Sequence, residues 1–392
     1  MSSPISLGVL CALTGLIGVA YPQIARAQFG GPTAGVALGP WVLQVLGEAG
    51  IGYEGNVLYA SPSGPSDLVT RLRVGLTGTR QTDRSSLTLG AFGDAWLYRE
   101  LNDLDSWGYD FSADWRYALT PRLDVRADGY LRTSLTTQVQ VGNTVQPLLP
   151  LTTSHAGSVD LYGTYRLSAR DTLTARLNYV DITYELPGLL DGQAGTARLT
   201  STHAYAPTSS YGGFYEFQRS VTETIAPFTF QTLEGTWASL VAGVWVRTEA
   251  GATVVASDVL GRVSVQPVGL IELRRSVGAS TIAAGDVSAH YYHTVGQALG
   301  LGRVLATHDV GASYNRGSTE RLLIRVGIDQ SWSTDLVDKT YEASATTVAG
   351  EARHALRPGY WIGLAAFYRR RVEGSAASSP GIMLTAGCAC VQ

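Results

Sequence analysis

Apolar and polar residues trade places along stretch after stretch of this chain, each stretch roughly a dozen residues long. From Leu123 onward, Leu123, Val125, Ala127, Gly129 and Leu131 fall on one side of a strand, and Asp124, Arg126, Asp128, Tyr130 and Arg132 on the other. Side chains of a β-strand point alternately to opposite faces, so such a segment has one oily and one charged face. A soluble sandwich would bury the oily face in a core. The repetition, the strand length, the short turns on one side and an export signal point instead to a barrel. Its outside meets lipid and its inside meets water.

The alternation predicts strands near 42–60, 67–80, 85–99, 107–119, 122–134, 152–168, 172–185, 201–218, 223–233, 235–248, 252–258, 263–276, 280–293, 304–316, 319–333, 340–355, 359–373 and 381–391. The stretch 252–258 is short and poorly patterned, and reading it as a loop lowers the count. Short polar turns occur around Thr82-Asp83, Thr120-Pro121, Ala169-Arg170, Val221-Thr222, Gly278-Ala279, Gly317-Ser318 and Arg357-Pro358. Longer loops fall at 135–151, 186–200 and 374–380. The fold class expected is all-β: a transmembrane antiparallel up-and-down β-barrel of about 18 strands (range about 16–18), with short periplasmic turns and longer extracellular loops. A barrel that wide leaves an aqueous lumen unless loops plug it, and the loops at 135–151 and 186–200 are the ones to watch.

Aromatic placement agrees with a membrane. Trp107, Tyr109, Phe111, Trp115 and Tyr117 share the apolar face of one strand, and Trp and Tyr favour the two membrane–water interfaces. Ahead of the barrel (40–392), residues 1–27 read as a signal peptide and 28–39 as a flexible Gly/Ala-rich tail. The apolar run Ile5 to Tyr21 is followed by Ala25-Arg26-Ala27 before Gln28, an A-x-A cleavage pattern, although Met1-Ser2-Ser3-Pro4 carries no Lys or Arg. Cys11 belongs to the signal, which leaves Cys388 and Cys390. Residues two apart on a strand lie about 7 Å from each other, at the limit for a disulfide.

Composition narrows the class further. Charged residues make up 16% of the 392, below the roughly 25% of soluble domains. Lys is nearly absent and the net charge is −3, so nucleic-acid binding has no electrostatic footprint. Mean hydropathy is +0.07. Beyond the signal no apolar run approaches the roughly 18 residues of a spanning helix, which excludes a helical membrane bundle.

The polar faces carry both charge signs. The candidate lumen-lining residues are Arg71, Arg73, Asp94, Asp110, Asp114, Arg116, Asp124, Arg126, Asp128, Arg132, Asp160, Arg166, Arg176, Glu272, Arg274, Asp286, Arg325 and Asp329. Opposite charges favour being directly opposed. The strands around Thr120 can be aligned with Arg116 facing Asp124 and Asp114 facing Arg126, and a turn at Thr82-Asp83 would put Arg71 opposite Asp94. Such a lattice either stiffens a hydrated wall or lines a path for a polar solute or polymer. Mixed signs speak against the single-sign rings of ion-selective pores. Catalytic constellations are meagre. The histidines His155, His203, His290, His293, His308 and His354 are scattered, and His290-Tyr291-Tyr292-His293 puts its two on opposite faces. Ser280 reads as turn chemistry, and no G-x-S-x-G elbow occurs. No catalytic residue, cofactor or metal ligand is therefore expected, and the chain does not read as an enzyme.

At Gly50-Ile51-Gly52-Tyr53-Glu54-Gly55-Asn56-Val57-Leu58-Tyr59 the chain resembles the outer-membrane β-barrel proteins associated with exopolysaccharide and exosortase loci. Their first strand typically carries a Tyr-Asp-x-Asn-Val-Phe-like signature, in which Glu54 here replaces Asp and Leu58 replaces Phe. The segments Ser61-Pro62-Ser63-Gly64-Pro65-Ser66-Asp67 and Arg71-Leu72-Arg73-Val74-Gly75-Leu76 also look like that family. So do the hairpins Leu119-Thr120-Pro121-Arg122-Leu123 and Arg166-Leu167-Ser168-Ala169-Arg170-Asp171. The likeness implies a large single barrel acting as an exit for secreted polysaccharide. One departure is the ending Cys388-Ala389-Cys390-Val391-Gln392, where barrels usually place an aromatic residue.

The function expected is thus a non-enzymatic channel exporting exopolysaccharide across the outer membrane of a Gram-negative bacterium. The alternatives are a general porin for small solutes and a closed structural or surface-binding barrel. Expected partners are outer-membrane lipid and the barrel-assembly machinery, with periplasmic polysaccharide-export proteins and a polysaccharide as further candidates and no nucleic acid.

Overall fold

The computed structural model describes residues 36–58, 63–135, 152–223, 225–258, 261, 263–277, 285–319, 321–357 and 359–390. The signal peptide with its cleavage site, residues 136–151 of the expected loop 135–151, and the expected turn at Gly278-Ala279 lie outside them. A short strand, β1 (Val36–Leu38), precedes eighteen long ones. The first nine are β2 (Trp41–Glu54), β3 (Asp67–Gln81), β4 (Ser85–Tyr98), β5 (Ser106–Thr120), β6 (Leu123–Leu135), β7 (Thr153–Arg166), β8 (Asp171–Tyr184), β9 (Gly192–Ala206) and β10 (Ser209–Thr222). The other nine are β11 (Ile225–Val241), β12 (Val244–Ala256), β13 (Ser264–Val277), β14 (Gly285–Ala298), β15 (Arg303–Thr319), β16 (Leu322–Asp335), β17 (Glu342–Arg357), β18 (Tyr360–Glu373) and β19 (Ser375–Cys390).

Each long strand pairs antiparallel with the next, and β19 returns to β2 through pairs such as Leu384↔Ile51. The ring therefore closes with eighteen strands. Closure satisfies strand edges that an open sheet would leave exposed. Residues 36–38, which the sequence assigns to the loose tail, hairpin onto β2 with Leu38 opposite Trp41. The long strands exceed the roughly 9–11 residues needed to cross a tilted bilayer. No α-helix occurs among the described residues, and a single 3-10 turn covers Asn102–Leu104.

The side chains are distributed inside out relative to a soluble protein. On the outward face Val74 is 65% exposed and Trp107 74%, and Leu76, Leu89, Phe111, Leu131 and Leu233 are exposed as well. On the inward face Asp160 and Arg176 are only 7% exposed. That inversion is what a lipid-facing wall requires, because lipid solvates the apolar face and only the interior holds polar partners.

The tight turns at one end share a device. Thr82 Oγ1 accepts from the Ser85 N–H at 3.0 Å, Thr120 Oγ1 from Leu123 at 3.0 Å, and Ser168 Oγ from Asp171 at 3.0 Å. A hydroxyl three residues ahead of the amide closes each turn, which is why these hairpins share a sequence style. The β11–β12 turn works differently: Ala242 and Gly243 both adopt positive φ, +50° and +77°, matching the twist of a two-residue hairpin.

Between residues 186 and 258 the strand boundaries differ from the expectation. The expected strand 201–218 contains the Pro207-Thr208 turn joining β9 to β10, and most of the expected loop 186–200 is β9. The expected strand 235–248 likewise crosses the Ala242-Gly243 turn, and residues 252–256 of the expected strand 252–258 are the end of β12. Tyr205 and Tyr211 keep the same alternation on both sides of Pro207, so periodicity alone does not register so tight a turn. Val221-Thr222 lies at the end where the loops are, not with the short turns. The expected loop 374–380 belongs to β19 except for Gly374. Its Ser/Pro composition reflects an edge: residues 375–380 pair with β18 alone, and pairing to β2 starts at Gly381.

Candidate functional site

The candidate site is the interior of the ring. The register carries the eighteen charged side chains singled out from the sequence on the face opposite the apolar belt, and most form cross-strand ion pairs. Asp160 meets Arg176 at 2.7 Å, Asp286 meets Arg274 at 2.9 Å, and Asp124 meets Arg166 at 3.0 Å. Asp110 bonds Arg132 at 2.5 Å, Arg325 lies 3.8 Å from Glu351, and Glu272 lies 3.9 Å from Arg247. Asp329 meets His290.

Both proposed registers are wrong by one pleat. Arg116 stands directly opposite Arg126, and Asp114 opposite Asp128, with Ala118 taking the place beside Asp124. Arg73, not Arg71, is opposite Asp94, and Arg71 is opposite Trp96. An irregularity between Ala118 and Thr120 shifts the first pairing. Opposite charges still meet, but diagonally. Arg126 Nη2 lies 2.7 Å from Asp114 Oδ2 and its Nε 3.0 Å from Asp128 Oδ1. Arg71 Nε donates to Asp94 at 3.0 Å. A long guanidinium reaches one residue pair up or down the neighbouring strand, so direct opposition is not needed. Glu54, Glu216, Glu249, Asp309, Glu351, Arg198, Arg247, Arg353 and Arg369 belong to the same wall and were missed. Several lie on strands whose limits the alternation misplaced.

The loop end of the interior is not open all round. Pairing of β14 with β13 stops at His293↔Gly269, whereas β14 and β15 remain paired up to Ala298↔Arg303. Beyond His293 β14 parts from β13, while β15 stays paired with β16 as far as Leu305↔Asp335, and the tip of the β14–β15 hairpin crosses the mouth. The Leu190 N–H donates to the Gly300 carbonyl at 2.9 Å, and the Tyr184 hydroxyl donates to the Leu299 carbonyl at 3.3 Å. Leu299 packs on Ala156 and Ile182, which point inward from β7 and β8. Ser220 of β10 hydrogen-bonds Gln297. Val295, Val304 and Ala306 pack against Phe228, Phe230, Val255 and Val268 of β11 to β13. Residues 294–300 are buried without a break, on what would otherwise be both faces of a strand. Loss of alternation in Val295-Gly296-Gln297-Ala298-Leu299-Gly300-Leu301 is its sequence signature.

A second apolar patch lies inside the ring at the same end. Val57, Val69 and Tyr98 pack with Trp96, Leu101, Leu104 and Met383. Asp67 ties the 99–105 loop down, because its carboxylate accepts the N–H groups of Leu68, Glu100 and Leu101 at 2.7–2.8 Å. The interior therefore has an apolar, partly roofed mouth above a charged wall.

One cluster on that wall is built on a histidine rather than an arginine. His290 Nε2 lies 2.8 Å from Asp309 Oδ1 and 3.6 Å from Asp329 Oδ1. Local spacing gives no hint of this triad, since β14, β15 and β16 each supply one member. The residues present could hold a metal ion.

No family model matches the chain, and no curated protein matches it. It is similar in structure to Pseudomonas aeruginosa OpdQ, with a TM-score of 0.48 and 9% identity over 88% of this chain and 97% of that one. Acinetobacter baumannii OccAB4 gives a TM-score of 0.46 and 10% identity over 88% and 97%. The outer-membrane protein OpdK of Pseudomonas aeruginosa gives 0.45 and 8% over the same shares, 88% and 97%.

Proposed function

We propose that this chain is an outer-membrane channel of the porin kind, passing small polar solutes through a constricted lumen. The observation that carries this reading is the β14–β15 hairpin crossing the mouth from β14 to Leu190 and Tyr184. A roofed mouth above a charged wall suits molecules of a few ångströms that can turn past an obstacle. A polysaccharide would have to thread beneath the hairpin along its whole length, so polymer export, the reading the sequence favours, fits less well. The wall supplies both signs of charge at short intervals, which suits a polar solute without selecting strongly for one ion sign. The short-turn end faces the periplasm in this reading and the roofed end faces outward. Nothing in the proposed transport requires bond chemistry, so the protein acts without catalysis.

The test is conductance of the purified barrel in planar bilayers, for the wild type and for a variant with residues 296–302 replaced by a short Gly/Ser turn. Discrete openings that widen in the variant, with small sugars and carboxylates permeating, are the expected outcome. Absence of openings in both proteins would favour the closed barrel. A deletion strain that retains polysaccharide in the periplasm, with no conductance defect for small solutes, would restore export.

A further inference from the structure

We infer that His290, Asp309 and Asp329 form a binding site for a divalent transition-metal ion, Zn2+ being the occupant their chemistry fits best. Three neighbouring strands converge on it. His290 pairs with Gly311, and Gly311 with Asp329, so these three positions lie in one row across β14, β15 and β16. Asp309 stands two residues along β15 from Gly311, on the same inward face. The ligand atoms, one from each residue, all lie within 4.8 Å of one another. A tetrahedral zinc ion with bonds of about 2.0–2.1 Å separates its ligand atoms by about 3.3 Å. The 2.8 and 3.6 Å separations from His290 Nε2 bracket that spacing.

Gly311 makes the space. A Cβ at that position would lie 2.7 Å from His290 Nε2 and would collide with Asp329 Oδ1 and His290 Cε1. A side chain in the centre of the row would therefore fill the place where the three ligand atoms meet.

Charge gives an independent reason for a bound cation. The Asp309 side chain is 1% exposed, and its Oδ2 is buried without a hydrogen-bond partner. Among the described residues no Arg or Lys forms an ion pair with Asp309 or Asp329. The carboxylates around them on the wall do have one, as Glu272 has Arg247 and Glu351 has Arg325 and Arg353. A single imidazole nitrogen can donate to only one of two carboxylates, and a protonated His290 would still leave one negative charge uncompensated. A divalent ion resolves both: it takes one lone pair from each carboxylate and one from neutral His290, and leaves a net charge near zero. The ring of His290 lies 4.6 Å from that of Tyr292, which restricts its orientation. One nitrogen and two carboxylate oxygens favour zinc over magnesium or calcium, which prefer more oxygens.

The experiment uses the mature barrel in detergent, stripped with a chelator and titrated with ZnCl2 by calorimetry, with MgCl2 as a comparison. One equivalent of zinc bound per barrel, with magnesium at least about 100-fold weaker, is expected. Asp309→Asn and His290→Gln should each weaken zinc by roughly 100-fold or more, and Asp94→Asn, on an arginine-paired carboxylate, should leave it unchanged. Gly311→Ala keeps all three ligands and should also weaken binding, which covers the case in which a ligand variant fails to fold. Heat-modifiable gel mobility reports folding for every variant. No zinc binding by the folded wild type would overturn the inference. So would binding unchanged in folded Asp309→Asn and Gly311→Ala proteins. The titration reads binding alone, so its result stands whether or not the barrel conducts.

Discussion

The Tyr184 hydroxyl, at the end of β8, donates a 3.3 Å hydrogen bond to the carbonyl of Leu299, in the connection that follows β14, six places further round the eighteen-strand ring. No wall residue can make such a contact unless the chain leaves the wall. The bond marks where the β14–β15 hairpin lands after crossing the mouth.

Gly300 makes that landing possible. Its φ is +93°, and a Cβ there would sit 2.9 Å from the Tyr184 hydroxyl oxygen. Gly300→Val therefore combines a left-handed backbone penalty of about 1–2 kcal/mol with a clash. The hairpin should be dislodged and single-channel conductance should rise. Conductance equal to wild type in a folded Gly300→Val barrel would remove the hairpin from the permeation path.

Asp67 gathers three backbone N–H groups, two of them from the 99–105 loop. Asp67→Ala should release that loop at a cost of about 1 kcal/mol or more, because three partly buried amides lose their shared acceptor. Hydrogen exchange localised to 100 and 101 checks it; unchanged protection there would contradict the anchoring role.

The wall pairs should differ sharply with burial. Asp160→Asn removes the carboxylate from Arg176, both being 7% exposed, and should cost about 3 kcal/mol in denaturant unfolding. Asp124→Asn acts on a pair whose side chains are 44% and 59% exposed, and should cost less than about 1 kcal/mol. Equal costs at the two sites would mean that the interior screens them alike.

Leu89 lies on the lipid face of β4, 44% exposed. Leu89→Arg should cost about 2–4 kcal/mol in liposome refolding, most of all if the residue sits near the bilayer midplane. Wild-type stability would reverse the assignment of faces.

Faces were legible in the sequence because alternation is a local property: Leu123 to Arg132 shows its two sides without reference to any partner. Register was not legible, because it depends on the irregularity between Ala118 and Thr120 and on how far an arginine can reach. The crossing hairpin was legible only in the negative. Alternation predicts a strand ending at residue 293, and His293 is where pairing to β13 ends. What the pattern could not say is where the non-alternating residues go, since burial on both sides depends on Phe228 and Ile182, far off in sequence. The His290 cluster escaped for a related reason: its members are single residues on three strands, and only closure of the sheet makes them neighbours.

The departure of β14 from the wall has a mechanical consequence. Ser264–Val268 of β13 pair with β12 on one side and have no β14 residue opposite them on the other. Over most of its height the hydrogen-bonded ring resists distortion like a continuous hoop, and here the hoop is notched. Under lateral pressure from the surrounding lipid, a notched cylinder yields at the notch. Deformation of the rim should therefore reach the seam between β13 and β14, beside the root of the hairpin that roofs the lumen, and membrane tension would act on the mouth through that seam.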